Sequence, residues 1–212
     1  MPASASKDAI EITSMNIRKA CVKVWDMPVR LFHWTMVLGF TAAYLTAKFH
    51  IGFLHTLIGY FLCILLLARV FWGFTGNQYA RFNSFIFSRA ETFIYLRSLV
   101  HGRPRHYFGH NPAGALMVFA LLVLLMLIFL TGLITLAVID FEGPFLFLEN
   151  YFSDAASYAV HHLHGWLIDA ALLLIALHVI GVAAGSIQHK ENLVKAMITG
   201  KKKNVSASGS GY

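Results

Sequence analysis

Residues 113–139 run for 27 positions without a charged side chain. Few environments accommodate such a stretch other than lipid, because a helix crossing the hydrocarbon core needs about 20 apolar residues. Two further stretches, 31–47 and 49–68, are also uncharged, and between Ala155 and His189 the only charge is Asp169. The pattern predicts transmembrane helices near 29–48, 52–74, 112–138 and 157–187. Membrane strands would alternate polar and apolar residues, whereas LLVLLMLIFL (121–130) does not. Hydrophobic residues are 58% of the chain and charged residues only 13%, half the roughly 25% of soluble domains. A soluble globular protein, a disordered chain and a disulfide scaffold are therefore excluded. The first apolar segment follows a polar head and lacks a small-residue cleavage site, so a cleaved signal peptide is not expected. The expected fold is all-α, an integral membrane four-helix bundle.

Basic residues set the expected orientation. Of the 17 Lys and Arg, five precede the first span, five lie between the second and third, and five follow the fourth. Lys48 alone occupies the loop after the first span. The loop after the third has Asp140, Glu142, Glu149 and Asp154 with no basic residue. Basic segments stay cytoplasmic, which puts both termini in the cytoplasm. The net charge of +7 is then a topology signal, and no nucleic-acid partner is expected. Trp25, Trp34 and Trp72 would lie at the cytoplasmic interface and Trp166 at the other. We divide the chain into a polar head (1–22), the membrane domain (23–200) and a flexible basic tail (201–212). Segment 85–100 mixes apolar residues with Arg89 and Arg97 and reads as a helix on the cytoplasmic membrane surface. Cys21 and Cys63 have neither a disulfide nor a metal-site spacing.

The chemistry has to come from the 11 histidines, because ionisable groups inside a membrane are costly and usually functional. His164 and His178 are 14 residues apart in the fourth span, which at about 100° per residue leaves them about 40° apart in direction. They share a face and are separated by about 21 Å along the axis. Antiparallel packing puts His33 at the depth of His178, and His55 at the depth of His164. Two cross-helix pairs at two depths are what two six-coordinate haems need, with an imidazole on each side of each iron. No CxxCH motif is present, so the haem would be the non-covalent haem b. Any single histidine can instead be a polar residue bonded to a neighbouring helix; the four together point to ligation. His50, His101, His106, His110, His161, His162 and His189 read as interfacial or loop residues.

Other residues are more ambiguous. Arg69 suits a haem propionate or a quinone, but equally a snorkelling topology residue. Arg30 carries the same two readings. Asp169 is off the histidine face by about 140° and reads as a protonated carboxyl bonded to a neighbouring helix, ahead of a proton relay. Gly59, Gly132, Gly181 and Gly185 allow close approach of either a macrocycle or another helix.

KVWDMPVRLFHW (23–34), LHTLIGYFLCILLLARVFWGF (54–74), GHNPAGALMV (109–118), HGWLIDAALLLIALHVIGV (164–182) and HKENLVKAMITGKK (189–202) closely resemble the bacterial cytochrome b561 family. That family includes the b-type cytochrome subunits of nickel–iron hydrogenases. The resemblance covers roughly residues 22–203. It implies a four-helix bundle with two haems b, whose ligands fall on His33, His55, His164 and His178. It also implies electron transfer between a periplasmic redox partner, of the hydrogenase or c-type cytochrome class, and membrane quinone. Two other functions fit the residues: a self-contained quinone-linked oxidoreductase with a small periplasmic donor, and a haem-free transporter with a histidine-lined path.

Overall fold

The computed structural model describes residues 21–101, 107, 109–188 and 190–203. Four long helices dominate: α1 (Met27–Lys48), α2 (Gly52–Thr75), α4 (Pro112–Val138) and α5 (Asp154–Gln188). Shorter helices are α3 (Arg89–Val100) and α6 (Leu193–Thr199). Helices form at all four expected positions, with ends shifted by at most three residues.

Side-chain caps fix where the helices start. The Asp26 carboxylate accepts from Val29 N at 3.0 Å, with Pro28 in the first turn of α1. Asn111 does the same for Gly114 N at 2.7 Å ahead of Pro112 at the start of α4. Each supplies an acceptor for an otherwise unpaired N–H, and proline lacks one of the orphan donors. Ser88 caps α3 through Glu91 N at 3.1 Å, so this helix begins at Arg89, later than the sequence suggests. A single 3-10 turn (Phe82–Ser84) precedes it.

Three helices, α2, α4 and α5, are long and apolar enough to cross a membrane. The 22-residue α1 carries Arg30, His33, three threonines and Lys48, which lower its apolarity. Two of those threonines return their hydroxyls to the helix backbone, Thr41 to Val37 O at 2.8 Å and Thr46 to Ala42 O at 2.9 Å.

α1 packs along α2, α4 along α5, and α2 against α4; α3 lies against α4. A Cβ at Gly39 would meet Leu62 Cδ2 at 2.5 Å, so this glycine sets how closely α1 and α2 approach. The central core is Met36, Leu62, Leu66, Ile128, Phe129 and Ala171, drawn from all four long helices. Elsewhere large apolar residues face outward, among them Leu38 at 71%, Phe53 at 83% and Trp166 at 70% exposure. An apolar exterior of this extent suits lipid, not water.

Residues 21–23 and 201–203 meet at one end of the bundle. Strand β1 (Cys21–Lys23) pairs antiparallel with β2 (Lys201–Lys203), Val22 opposite Lys202. Residues 201–203, at the start of the expected basic tail, thus form a strand; the rest of that tail and residues 1–20 of the expected head lie outside the described residues. The turn is made by Gly200, at φ 79, a conformation favoured by glycine. Its carbonyl accepts from Val24 N at 2.9 Å and Trp25 N at 3.1 Å, and Lys202 lies 3.8 Å from Glu191. Three-residue strands show no alternation that a sequence reading can use. We call this the basic end, and the opposite one, with Asp140, Glu142, Glu149 and Asp154, the acidic end.

Candidate functional site

The histidines come together in two pairs, one near each end. The His33 and His178 rings are 6.3 Å apart between centroids, and those of His55 and His164 are 6.4 Å apart. Both pairs cross from the α1–α2 side to α5. Metal–imidazole nitrogen distances are about 2 Å, with the ring centroid about 1.1 Å behind the nitrogen, so two imidazoles on one metal place their centroids roughly 6 Å apart. Both separations fit an iron between the rings.

Hydrogen bonds at the back of two rings favour the ligating tautomer. His55 Nδ1 lies 2.9 Å from Ala43 O, and His164 Nδ1 lies 3.0 Å from Ile128 O with Thr131 Oγ1 at 3.1 Å. An Nδ1–H donated to a carbonyl leaves Nε2 bare for a metal and fixes the ring plane. His33 Nδ1 is buried without a hydrogen bond; the Trp34 ring packs edge-on at 5.0 Å.

Glycines leave room beside these rings. A Cβ at Gly132 would meet His164 Cε1 at 3.1 Å, whereas one at Gly59, a turn beyond His55, would meet nothing within 4 Å. No group of three or more metal-ligating side chains occurs among the described residues, so a bare metal ion has no protein cage here. A haem, which brings its own four equatorial donors, asks only two axial ligands per iron. The residues fit haem.

The arginines are placed differently. Arg30 donates to the Ile198 carbonyl, tying α1 to α6, and its Nε is buried without a partner. Arg69 is buried, donates from Nη2 to Ala80 O at 3.4 Å, and lies 5.3 Å from the Phe82 ring centre. Its Nη1 is buried and unpartnered. Arg69 is 14 residues beyond His55 in α2, so it returns to nearly the same face at the depth of His33 and His178. Its burial at 5% exposure argues against a snorkelling residue.

Asp169 departs from the expected helix-to-helix bond. It is exposed, points away from the face of His164 and His178, and makes no hydrogen bond among the described residues. His161 and His162 are exposed too.

Sequence reasoning missed a hub at the basic end. Asp26 Oδ2 accepts from Trp72 Nε1 at 2.9 Å and Asn77 Nδ2 at 3.1 Å, joining the start of α1 to the end of α2. The motif KVWDMP signals a helix cap but not its distant partners. Nearby, the His110 ring sits 4.6 Å from Trp25 and 4.4 Å from Phe85. Burial, with Arg69 and Lys202 adding repulsion, pushes its pKa down to about 3, so the imidazole is neutral at neutral pH. Burial also lowers the Lys202 ammonium, against the pull of Glu191.

The family model for prokaryotic cytochrome b561 matches residues 24–200. The chain belongs to that family. The b561 chain is similar to a probable Ni/Fe-hydrogenase B-type cytochrome subunit of Azotobacter chroococcum mcd 1, 26% identical and covering 86% of this chain and 89% of the relative. The corresponding protein of Rhizobium leguminosarum bv. viciae is 23% identical, over 88% of this chain and 90% of the relative. The probable Ni/Fe-hydrogenase 1 B-type cytochrome subunit of Escherichia coli K12 is 21% identical, over 84% and 88%. No solved structure matches significantly. A b-type cytochrome uses haem for electron transport, which is the chemistry the two histidine pairs suit.

Proposed function

We propose that this b561 cytochrome carries electrons through two haems b stacked across a bacterial inner membrane, one clamped by His33 and His178 and the other by His55 and His164. The observation that supports this best is the pair of ring separations, 6.3 and 6.4 Å, at two depths of one bundle. Electrons pass between a periplasmic hydrogenase-type partner at the acidic end and the quinone pool at the basic end. The positive-inside pattern supports four spans, α1 included, with both termini in the cytoplasm.

Haem, when bound, supplies the iron that changes valence. The chain supplies the rest. The four imidazoles would hold the haem irons, and the carbonyls of Ala43 and Ile128 orient two of those rings. Met36, Leu62, Leu66, Ile128, Phe129 and Ala171 fill the middle of the bundle between the two levels and keep it dry, so charge moves without water reorganising around it. Arg69, with a free Nη1 at the depth of the basic-end pair, is suited to a propionate. Membership in the cytochrome family disfavours the transporter reading.

Ligand-pair variants test the assignment. The wild type in membranes should show a b-type α-band with about two haems per chain. His33→Ala or His178→Ala should remove or open one haem, and His55→Ala or His164→Ala the other. Within a pair the double variant should resemble the worse single, because both residues serve one iron. His33→Ala with His55→Ala should lose both haems, and His162→Ala neither. If His33→Ala and His164→Ala empty the same site, the pairing is wrong.

A further inference from the structure

The two histidine pairs are alike in ring separation and unlike in what stands behind the rings. At the acidic end His164 Nδ1 faces two oxygens, the Ile128 carbonyl at 3.0 Å and Thr131 Oγ1 at 3.1 Å, and His55 Nδ1 faces the Ala43 carbonyl at 2.9 Å. At the basic end His33 Nδ1 is buried with no partner, and no hydrogen bond reaches the His178 ring among the described residues. We propose that the two levels are built for different reduction potentials, the acidic-end haem the lower, and that Thr131 is a positioning residue that widens the gap through His164. The inference rests on the ligand pairs proposed above and goes beyond them by ranking the two sites.

The chemistry of a hydroxyl decides what Thr131 does. It has one proton and two lone pairs. Thr131 Oγ1 lies 2.8 Å from Leu127 O and 3.0 Å from Ile128 O, so its proton goes to a carbonyl of its own helix. A lone pair is left toward His164. With Nε2 on a metal, Nδ1 carries the proton and donates it, here shared between two acceptors. Thr131 is buried, at 7% exposure, where a polar contact is stronger than in water. Acceptors on the Nδ1 proton make an imidazole a more basic ligand. A more basic axial ligand favours ferric over ferrous iron and lowers the potential.

His33 and His178 lack this support. The Trp34 ring packs edge-on against His33 at 5.0 Å, and its own Nε1 is buried without a partner. Arg69, buried at the same depth, adds a positive charge that opposes the ferric state. Both differences raise the basic-end potential relative to the acidic-end one. An electron entering at the acidic end therefore moves downhill toward the basic end.

The test is a redox titration of the intact haem-loaded protein in membranes, followed at the b-type α-band. Wild type should show two one-electron steps, and His55→Ala should displace or remove the lower one. Thr131→Val keeps the shape and removes the hydroxyl. With haem content unchanged, it should raise the lower step and leave the upper one in place. The expected change in the electron-sharing equilibrium between the haems is about three- to tenfold, up to ~59 mV for one electron. Thr131→Ser restores a hydroxyl and should restore the wild-type step, which a packing role of the methyl group would not do. If Thr131→Val fails to hold haem, Thr131→Ala, which adds no bulk, carries the same expectation. A change confined to the upper step in His55→Ala overturns the ranking, as does a single step of two-haem amplitude in wild type. An unmoved lower step in Thr131→Val, with both haems present, overturns the role of Thr131. These results leave the ligand pairs standing, whereas a wild type without two six-coordinate haems overturns the pairs themselves.

Discussion

His164 sits where its neighbours leave no slack. Its ring is held by the Ile128 carbonyl at 3.0 Å on one side and abuts Gly132, where a Cβ would come within 3.1 Å of Cε1. Gly132→Val adds two further carbons on that side, and the ring cannot retreat without breaking the Nδ1 bond that orients it. The variant should lose the acidic-end haem and keep the other, read as haem content and a single remaining step in a redox titration. Gly165→Ala, where a Cβ meets nothing within 4 Å, should keep both. The pairing of histidines is legible in the sequence because a spacing of 14 residues fixes depth and face together. The close contact at Gly132 is not, because it depends on how two helices are rotated against each other. His110 is illegible for the same reason: Trp25 and Phe85, which clamp it, are 85 and 25 residues away in the chain.

At the scale of elements, long helices follow directly from uncharged stretches, whereas what locks them does not. The apolar runs predict α1, α2, α4 and α5 to within three residues, because length and hydropathy decide whether a segment spans. Short elements escape. α6 is seven residues long, and β1 and β2 exist only through each other. Asp26 shows the limit well: it is recognisable as a cap, but its carboxylate also accepts from Trp72 and Asn77, 46 and 51 residues on. Asp26→Ala removes a cap worth about 1 kcal/mol and leaves two donors without a charged acceptor, for a total of about 3 kcal/mol. The expected result is a thermal midpoint several degrees lower in detergent, with the two haem signals retained at low temperature. Asp26→Asn, which keeps an oxygen for Val29 N, should lose less. Equal losses for the two substitutions would mean that the charge, not the cap, holds the junction.

For the whole molecule, the two ends differ in charge and in construction. The basic end is tied by the β1–β2 pair, the Arg30 bond to the Ile198 carbonyl and the Asp26 hub. The acidic end has one short 3-10 helix (Leu146–Tyr151) and four carboxylates within the segment 140–154. Strong basic asymmetry across an apolar bundle is maintained by the insertion machinery, which retains Lys- and Arg-rich segments on the cytoplasmic side. A reporter fused after Tyr212 should therefore read cytoplasm, as should one inserted near Arg97 in α3, while one placed within 142–154 should read periplasm. The Arg97 insertion is the informative one. It tests the connection between α2 and α4 independently of the termini, and agreement between it and Tyr212 requires an even number of crossings between them. With α4 and α5 long and apolar enough to cross, the 142–154 reporter then decides which way the molecule faces. A periplasmic reading after Tyr212 would move the His33–His178 level to the outer side and leave both ring pairs intact. A cytoplasmic reading at all three positions would mean that α4 and α5 do not cross separately, and the stacked arrangement of two haem levels would fall with it.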